Sequence, residues 1–363
     1  MIIDIFIGTL CGRGGDRICV NIANGLVDAG HQVRLVLGHL QSPAYVELVD
    51  KRVKIINFNK KRVRYIIPSV IKYIFKQKPQ VFFVVGVESA ILFSFIRKIF
   101  FQRFKVIVRC LNALNAQTVT EESLNYSLLN HSAKFIFNKA DCLIAQCKGM
   151  ADELVRDYKV NKSKLVVINN PVGQVIIEKS DTTCGTIEKK NEILMVASLI
   201  KQKGIDYLLK AFRKTQDTFP DLKLRIIGRG ELENEIKEEI RLLKLEGQVF
   251  MDGFREDVYN AYAQAKVTVL SSIYEGFPNV LLESITMGTP VVAFDCPTGP
   301  SEIIIDDVNG YLAKYLDVDD LAEKIIKALN KNWDISAIKK TAEKYRPENI
   351  IPQYIEVIKK VCE

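Results

Sequence analysis

Short runs of β-branched and apolar residues recur along the chain, each closed by glycine, asparagine or proline and followed by a stretch of helical periodicity. Ile2 to Ile7, Val33 to Leu37, Val53 to Ile56, Val81 to Val85, Lys105 to Val108, Cys142 to Ala145 and Leu165 to Ile168 make a first set. These runs are continuously apolar rather than alternating, which is the pattern of parallel strands covered on both faces. Between the first two, Gly8 to Gly15 reads as a glycine-rich loop and Arg17 to Ala29 as a helix ending at Gly30, giving a β-α-β unit. A second set runs through Ile193 to Ala197, Leu222 to Ile227, Val249 to Met251, Val267 to Leu270 and Pro290 to Phe294, again alternating with helical segments such as Ile205 to Lys214 and Leu321 to Leu329. Two such series predict an α/β chain of two doubly wound parallel-sheet domains. The first is residues 1–172, closing at Asn169-Asn170-Pro171. The polar stretch 173–192 lacks a periodic pattern and reads as a linker. The second domain is 193–345, and 346–363, with its amphipathic segment Asn349 to Val361, reads as a C-terminal helix whose return to the first domain the sequence leaves open.

With 363 residues, 48% of them apolar, the chain can fill two cores and is not a disordered protein. Its eight cysteines show no Cys-x-x-Cys pair and no nearby histidine pattern, which argues for reduced thiols and against zinc. The apolar start, Met1 to Leu10, contains Asp4 and runs into a glycine loop, so a first strand is expected rather than a signal peptide. Val81 to Phe101 is interrupted by Glu88, Arg97 and Lys98 and makes a poor membrane span. The net charge of +8 is unevenly divided. Residues 1–172 hold 25 Lys and Arg against 12 Asp and Glu, and the remainder 26 against 31. Lys51 to Lys54, Lys60 to Tyr65 and Arg97 to Lys105 mix cations with aromatic residues, which suits an anionic membrane surface or polyanion as well as an ordinary solvated face. No nucleic-acid module accompanies them, so nucleic acid is not an expected partner.

The candidate chemistry centres on Ser271 to Glu283. Gly276 and Pro278 break the strand before them, and a helix is expected near Pro278, its first amides pointing out of its end and able to attract phosphate. Glu275 precedes this turn. Glu283 falls in an otherwise apolar helix, where a charge is costly unless something binds it. From spacing alone, a solvated loop acid and a partly exposed helix acid fit equally well. Gly12 to Gly15 does not complete a dinucleotide fingerprint, because position 17 is Arg, and Gly38-His39 stands where a ribose-binding acid is needed, so NAD is disfavoured.

Glu-x7-Glu inside Tyr-Glu-Gly-Phe-Pro-Asn-Val-Leu-Leu-Glu-Ser, together with Ala-Asp-x-x-Ile-Ala and Val-Ile-Asn-Asn-Pro-Val, resembles the family 4 retaining glycosyltransferases. The resemblance implies the GT-B fold, with two Rossmann-like domains facing across a cleft. It places Glu275 against the donor sugar and Glu283 on the ribose hydroxyls. Lys203 matches the lysine of the diphosphate clamp, while Ser198 replaces the arginine often found with it. Gly14 and Gly15 match the glycine loop near donor phosphates and acceptor. Arg229 and Phe254 lie in the turns that hold uracil in relatives. Arg109, with Asn112, stands on the acceptor side where many relatives have histidine; His131 reads as structural.

On this resemblance the expected activity is retaining transfer of a hexose or N-acetylhexosamine from a nucleotide-diphosphate sugar, a UDP-sugar first, to an acceptor hydroxyl. Lys203 and the backbone at Gly276, Phe277, Pro278, Asn279 and Val280 would stabilise the leaving diphosphate, with neither metal nor cofactor. The basic first domain adds a polyprenyl-diphosphate-linked oligosaccharide or glycolipid as acceptor, used to build a surface polysaccharide, and a place on the inner face of the plasma membrane. A sugar-nucleotide epimerase and a non-catalytic nucleotide-sugar-binding module are the competing expectations.

Overall fold

A computed structural model describes residues 1–10, 14–41, 45–60, 63–101, 103–111, 137–183 and 187–363. Asn112 and His131 lie outside these residues. The described chain divides into two compact units: the residues up to Leu111 with 137–171 and Pro347–Glu363 form the first, and those of Val172–Arg346 the second.

The first unit is a seven-stranded parallel sheet, β1 (Ile2–Leu10), β2 (Gln32–Leu40), β3 (Lys54–Asn57), β4 (Val81–Val85), β5 (Lys105–Arg109), β6 (Cys142–Ala145) and β7 (Leu165–Val167). The strand order is β3-β2-β1-β4-β5-β6-β7. Helices α1 (Gly14–Asp28), α2 (Val63–Gln77), α3 (Val87–Ile99) and α4 (Lys148–Arg156) alternate with the strands. Each expected strand is present, because an apolar run buried on both faces has few alternatives. The expected glycine loop is shorter than its sequence suggested: β1 extends to Leu10 and α1 starts at Gly14, with Asp16 in its first turn where the helix dipole favours an acid. Asp4, fully buried in β1, accepts from Arg34 Nε at 2.6 Å and Nη2 at 2.5 Å and from the Tyr73 hydroxyl at 2.6 Å.

The C-terminal helix Pro347–Cys362 belongs to this first unit. Gly25 of α1 makes room for it, since a Cβ there would lie 2.5 Å from Ile351 Cγ1. Tyr354 then meets Phe83 at 5.7 Å.

The second unit is a six-stranded parallel sheet of β8 (Glu192–Val196), β9 (Lys223–Ile227), β10 (Val249–Met251), β11 (Val267–Leu270), β12 (Val291–Phe294) and β13 (Gly310–Ala313), in the order β10-β9-β8-β11-β12-β13. Its helices are α5 (Gln174–Thr183), α6 (Ile205–Thr215), α7 (Glu233–Leu242), α8 (Tyr259–Gln264), α9 (Asn279–Thr286), α10 (Pro300–Ile303), α11 (Val318–Asn330) and α12 (Ile335–Ala342). α5 corrects the reading of 173–192 as a linker. Ile176 and Ile177 are buried, and Ser180 Oγ donates to Thr286 O of α9 at 2.7 Å, so a short apolar patch rather than a long periodic stripe folds this stretch. Among the described residues no helix is long and apolar enough to cross a membrane.

Candidate active site

In the second sheet the strand order reverses between β8 and β11, and open parallel sheets bind ligands beyond the carboxyl ends of strands at such a point. The loops that leave these two strands carry Lys203 and Glu275. Four turns converge there through close contacts that glycine permits. Gly204, with φ 55°, caps the turn Lys201–Lys203, and a Cβ on it would lie 2.2 Å from Ser271 O. A Cβ on Gly228 would lie 1.7 Å from Ala197 O, and one on Gly230 2.2 Å from Leu199 O. Gly299, at φ 96°, lies under the β11–α9 turn, where a Cβ would approach Pro278 Cδ to 2.7 Å. Ser271 Oγ donates to Lys203 O at 3.0 Å and Gln202 Nε2 to Tyr274 O at 2.8 Å, fixing the β8 and β11 loops together.

Within this frame Lys203 Nζ donates to Glu275 Oε1 at 2.6 Å, and Ser272 Oγ donates to the same oxygen at 2.7 Å. The Glu275 side chain is 8% exposed and that of Lys203 18%, so the pair is largely withdrawn from water and each charge depends on the other. Among the described residues no donor reaches Glu275 Oε2. Thr298 Oγ1 holds the Glu275 carbonyl. Burial pushes the neighbouring Cys296 thiol up, and the negative charge of Glu275 adds to the shift.

Glu283, buried in α9, has a partner that the sequence did not disclose. The Tyr262 hydroxyl of α8 donates to Glu283 Oε2 at 3.0 Å. Thr289 Oγ1 in turn donates to Tyr262 O at 2.7 Å, and Ser284 Oγ bonds Thr268 Oγ1 of β11 at 2.8 Å, anchoring α9 against the strand that also leads to Glu275. No spacing in the sequence marks Tyr262; only the meeting of α8 and α9 does.

The other candidates fall as follows. α9 begins at Asn279 with Pro278 as its N-cap, one residue beyond the expected start. Pro278 carries no N–H, so the donors of 277–280 are the amides of Phe277, Asn279 and Val280. Gly276 is buried in the same turn. The Phe277 ring is buried against Tyr345 at 5.5 Å, so this residue offers a ligand only its backbone. Ser198 is exposed at the β8 end, and the Arg229 guanidinium lies 4.7 Å above the Phe254 ring at the neighbouring β9 and β10 ends.

Gly14, Gly15 and Arg109 lie in the first unit. Gly14 and Gly15 open α1, and a Cβ on Gly15 would lie 3.5 Å from Leu111 Cδ2. Arg109 departs from its acceptor-side expectation. At 1% exposure its guanidinium is turned into the core, where Nη2 donates to Asn170 Oδ1 while Nε and Nη1 have no partner. A long side chain at a buried β5 position has only the space between α1 and the C-terminal helix, beside Cys19 and Tyr354. Among the described residues no group of three His, Cys, Asp or Glu is placed to hold a metal.

Two parallel-sheet α/β units with these strand orders are the architecture of the GT-B fold. Residues 12–173 match the model of Glycosyltransferase Family 4, and residues 177–346 that of Glycosyl transferases group 1. The chain belongs to the family 4 glycosyltransferases. It is 26% identical over 341 residues to an uncharacterized glycosyltransferase of Haemophilus influenzae, covering 90% of each chain. An N-acetylgalactosaminyltransferase of Campylobacter jejuni that acts on N-acetylgalactosamine-N,N'-diacetylbacillosaminyl-diphospho-undecaprenol is 31% identical over 184 residues; that match spans 49% of this chain and 48% of the relative. Among solved structures, Anabaena Alr3699/HepE in complex with UDP and glucose superimposes with a TM-score of 0.79 over 99% of this chain and all of its own, at 18% identity, a likeness of fold.

Proposed function

We propose that the chain transfers a hexose or N-acetylhexosamine, with retention, from a UDP-sugar to a hydroxyl of a lipid-linked oligosaccharide or glycolipid, at the inner face of the plasma membrane. The observation that carries this reading is the pairing of Lys203 with Glu275 beside the switch point of the second sheet, with Glu283 buried on the helix that follows. Cleavage of the anomeric C–O bond develops negative charge on the diphosphate and positive charge on the sugar ring. Lys203 and the amides of Phe277, Asn279 and Val280 are donors aimed at the former charge, fixed in place before the reaction. Glu275 Oε2 is the oxygen left to take a sugar hydroxyl, while Oε1 is held by Lys203 and Ser272. As diphosphate binds, Lys203 shifts from a cation held by Glu275 to one shared with phosphate. That leaves Glu275 more negative as ring charge develops. Glu283 receives the ribose hydroxyls, with Tyr262 holding its other oxygen.

Lys203 and the helix end provide the positive charge that a divalent ion supplies elsewhere, so turnover is expected to survive chelation by EDTA. The acceptor class is supported by the Campylobacter relative, which acts on a diphospho-undecaprenol-linked sugar. Incubation with UDP-sugars and a lipid-linked acceptor, followed by NMR of the product, tests the reading. An α-configured product from an α-configured donor is expected; an inverted product, or an epimerised sugar released without acceptor, contradicts it.

A further inference from the structure

Three neighbouring strands of the first sheet, β2, β1 and β4, run out into glycine at their carboxyl ends. Phe6 of β1 stands level with Val36 of β2 and with Val84 of β4, so two residues further along each strand Gly38, Gly8 and Gly86 are level as well. The Phe6 ring meets Phe93 of α3 at 4.8 Å, and position 8, two residues on, shares its face of the sheet. Adjacent strands lie about 4.8 Å apart, so the three glycines leave about 10 Å of bare peptide across this face. Val36, Phe6 and Val84 make a buried apolar layer directly before it.

The fold itself requires Gly38 and Gly86. Gly86, at φ 81°, turns β4 into α3, and a Cβ on Gly38 would lie 2.4 Å from Gly8 O and 2.7 Å from Ile66 Cδ1 of α2. Gly8 has no such reason. Its φ is not positive, and among the described residues a Cβ on it would meet no atom within 4 Å. It is half-buried in a central strand, where a glycine loses backbone entropy and packs nothing. Glycine inside a strand often marks a place where a ligand comes close to the backbone.

We propose that Gly8 is the floor of an acceptor subsite, on which one sugar ring of the acceptor lies against the peptide of β1. This rests on the transferase reading above and gives the acceptor of that reaction a place in the first unit. The surroundings select a neutral ring. The side chains that a Cβ on these three glycines would meet are Ile66 and Leu111, both apolar, so the carbon face of a pyranose fits and a charged group would be desolvated without a partner. A phosphate is further disfavoured because Asp16 already occupies the first turn of α1, where an anion would be drawn. For the hydroxyls of the ring, α3 starts at Val87 with no side chain capping its first amides, one strand away from Gly8.

Filling the floor tests the subsite. Gly8→Ala, Gly8→Val and Gly8→Leu put successively larger side chains into open space, so alanine and valine should melt at or above the wild-type Tm, and all three should keep the UDP-induced Tm shift that reports the second unit. With a UDP-sugar and a lipid-linked acceptor, the acceptor KM is expected to rise in that order, roughly tenfold or more for leucine, while the KM for the UDP-sugar stays put. Valine carries the comparison should leucine unfold the first unit. Saturation-transfer NMR with methyl glycosides of hexoses and N-acetylhexosamines reads the same subsite without turnover: at least one glycoside should bind the wild type and lose its signal in Gly8→Leu. Valine and leucine variants with the wild-type acceptor KM overturn the proposal. So do a parallel rise in both KM values, a glycoside signal that leucine leaves intact, and a Gly8→Ala variant that melts well below the wild type. Glycoside binding that leucine abolishes in a chain that transfers no sugar supports the subsite and counts against the transferase reading, so the two fail separately.

Discussion

Glu275 and Glu283 look alike in sequence and differ in what holds them. Glu275 gives one oxygen to Lys203 and Ser272, whereas Glu283 is met by a tyrosine hydroxyl. Hydrogen bonds to charged groups contribute about 1.5–3 kcal/mol, roughly ten- to a hundredfold in affinity or rate. Glu283→Ala is therefore expected to weaken UDP binding by that factor in calorimetry, and Glu275→Ala to lower kcat more than it weakens UDP binding. Small, equal effects from both would remove the site assignment. Tyr262→Phe keeps the ring and deletes the hydroxyl; it should weaken UDP roughly tenfold and narrow the preference for UDP over 2′-deoxy-UDP, a preference that a purely structural role would leave unchanged. At this scale the long motif singled out both acids and Lys203, and the structure pairs Lys203 with Glu275 and buries Glu283 on the following helix. The sequence did not disclose Tyr262, the inward turn of Phe277 or the burial of Arg109, since each depends on which elements meet in space.

Among elements, the strands were the most legible, because runs apolar on both faces fit few structures besides a parallel sheet. α5 and β13 escaped notice for the same reason in reverse: each is short, and its burial comes from neighbours rather than from its own pattern. The loops at the carboxyl edge depend on glycines whose necessity appears only in the packing. Gly299→Ala would place a Cβ 2.7 Å from Pro278 Cδ at φ 96°, displacing the turn that carries Glu275. A cost of about 1–3 kcal/mol in stability is expected from that strain, with a weaker UDP-induced Tm shift than in the wild type. A variant as stable and as responsive as the wild type would show that the turn tolerates displacement.

For the whole molecule, the two units should answer alkali differently. Burial pushes Cys19 and Cys110 up to about 12 and Cys142 to about 11, all in the first unit. The unfolded thiols ionise near 9.0 while the folded ones keep their protons, so this stability is present below that pH and is lost as pH rises above it. Lys189, in the second unit, is lowered to about 8 by burial, from 10.5. The unfolded chain holds more protons there, and the second unit gains stability between those values, with Cys296 the one buried thiol among its described residues to oppose it. Trp333, the single tryptophan, reports the second unit. Melts followed by circular dichroism should lose more Tm above pH 9 than melts followed by Trp333 fluorescence; equal losses would contradict the assignment.

Under the proposed function a nucleotide-diphosphate sugar binds at Lys203, Glu275 and Glu283. Thermal shift of the wild type and Glu283→Ala with UDP, GDP, ADP, NAD and a set of UDP-sugars measures that binding. A ligand that binds only the folded state raises Tm. A rise with UDP and one UDP-sugar is expected in the wild type, and a much smaller rise in the variant. No shift with any nucleotide, or a UDP shift undiminished by Glu283→Ala, would contradict it.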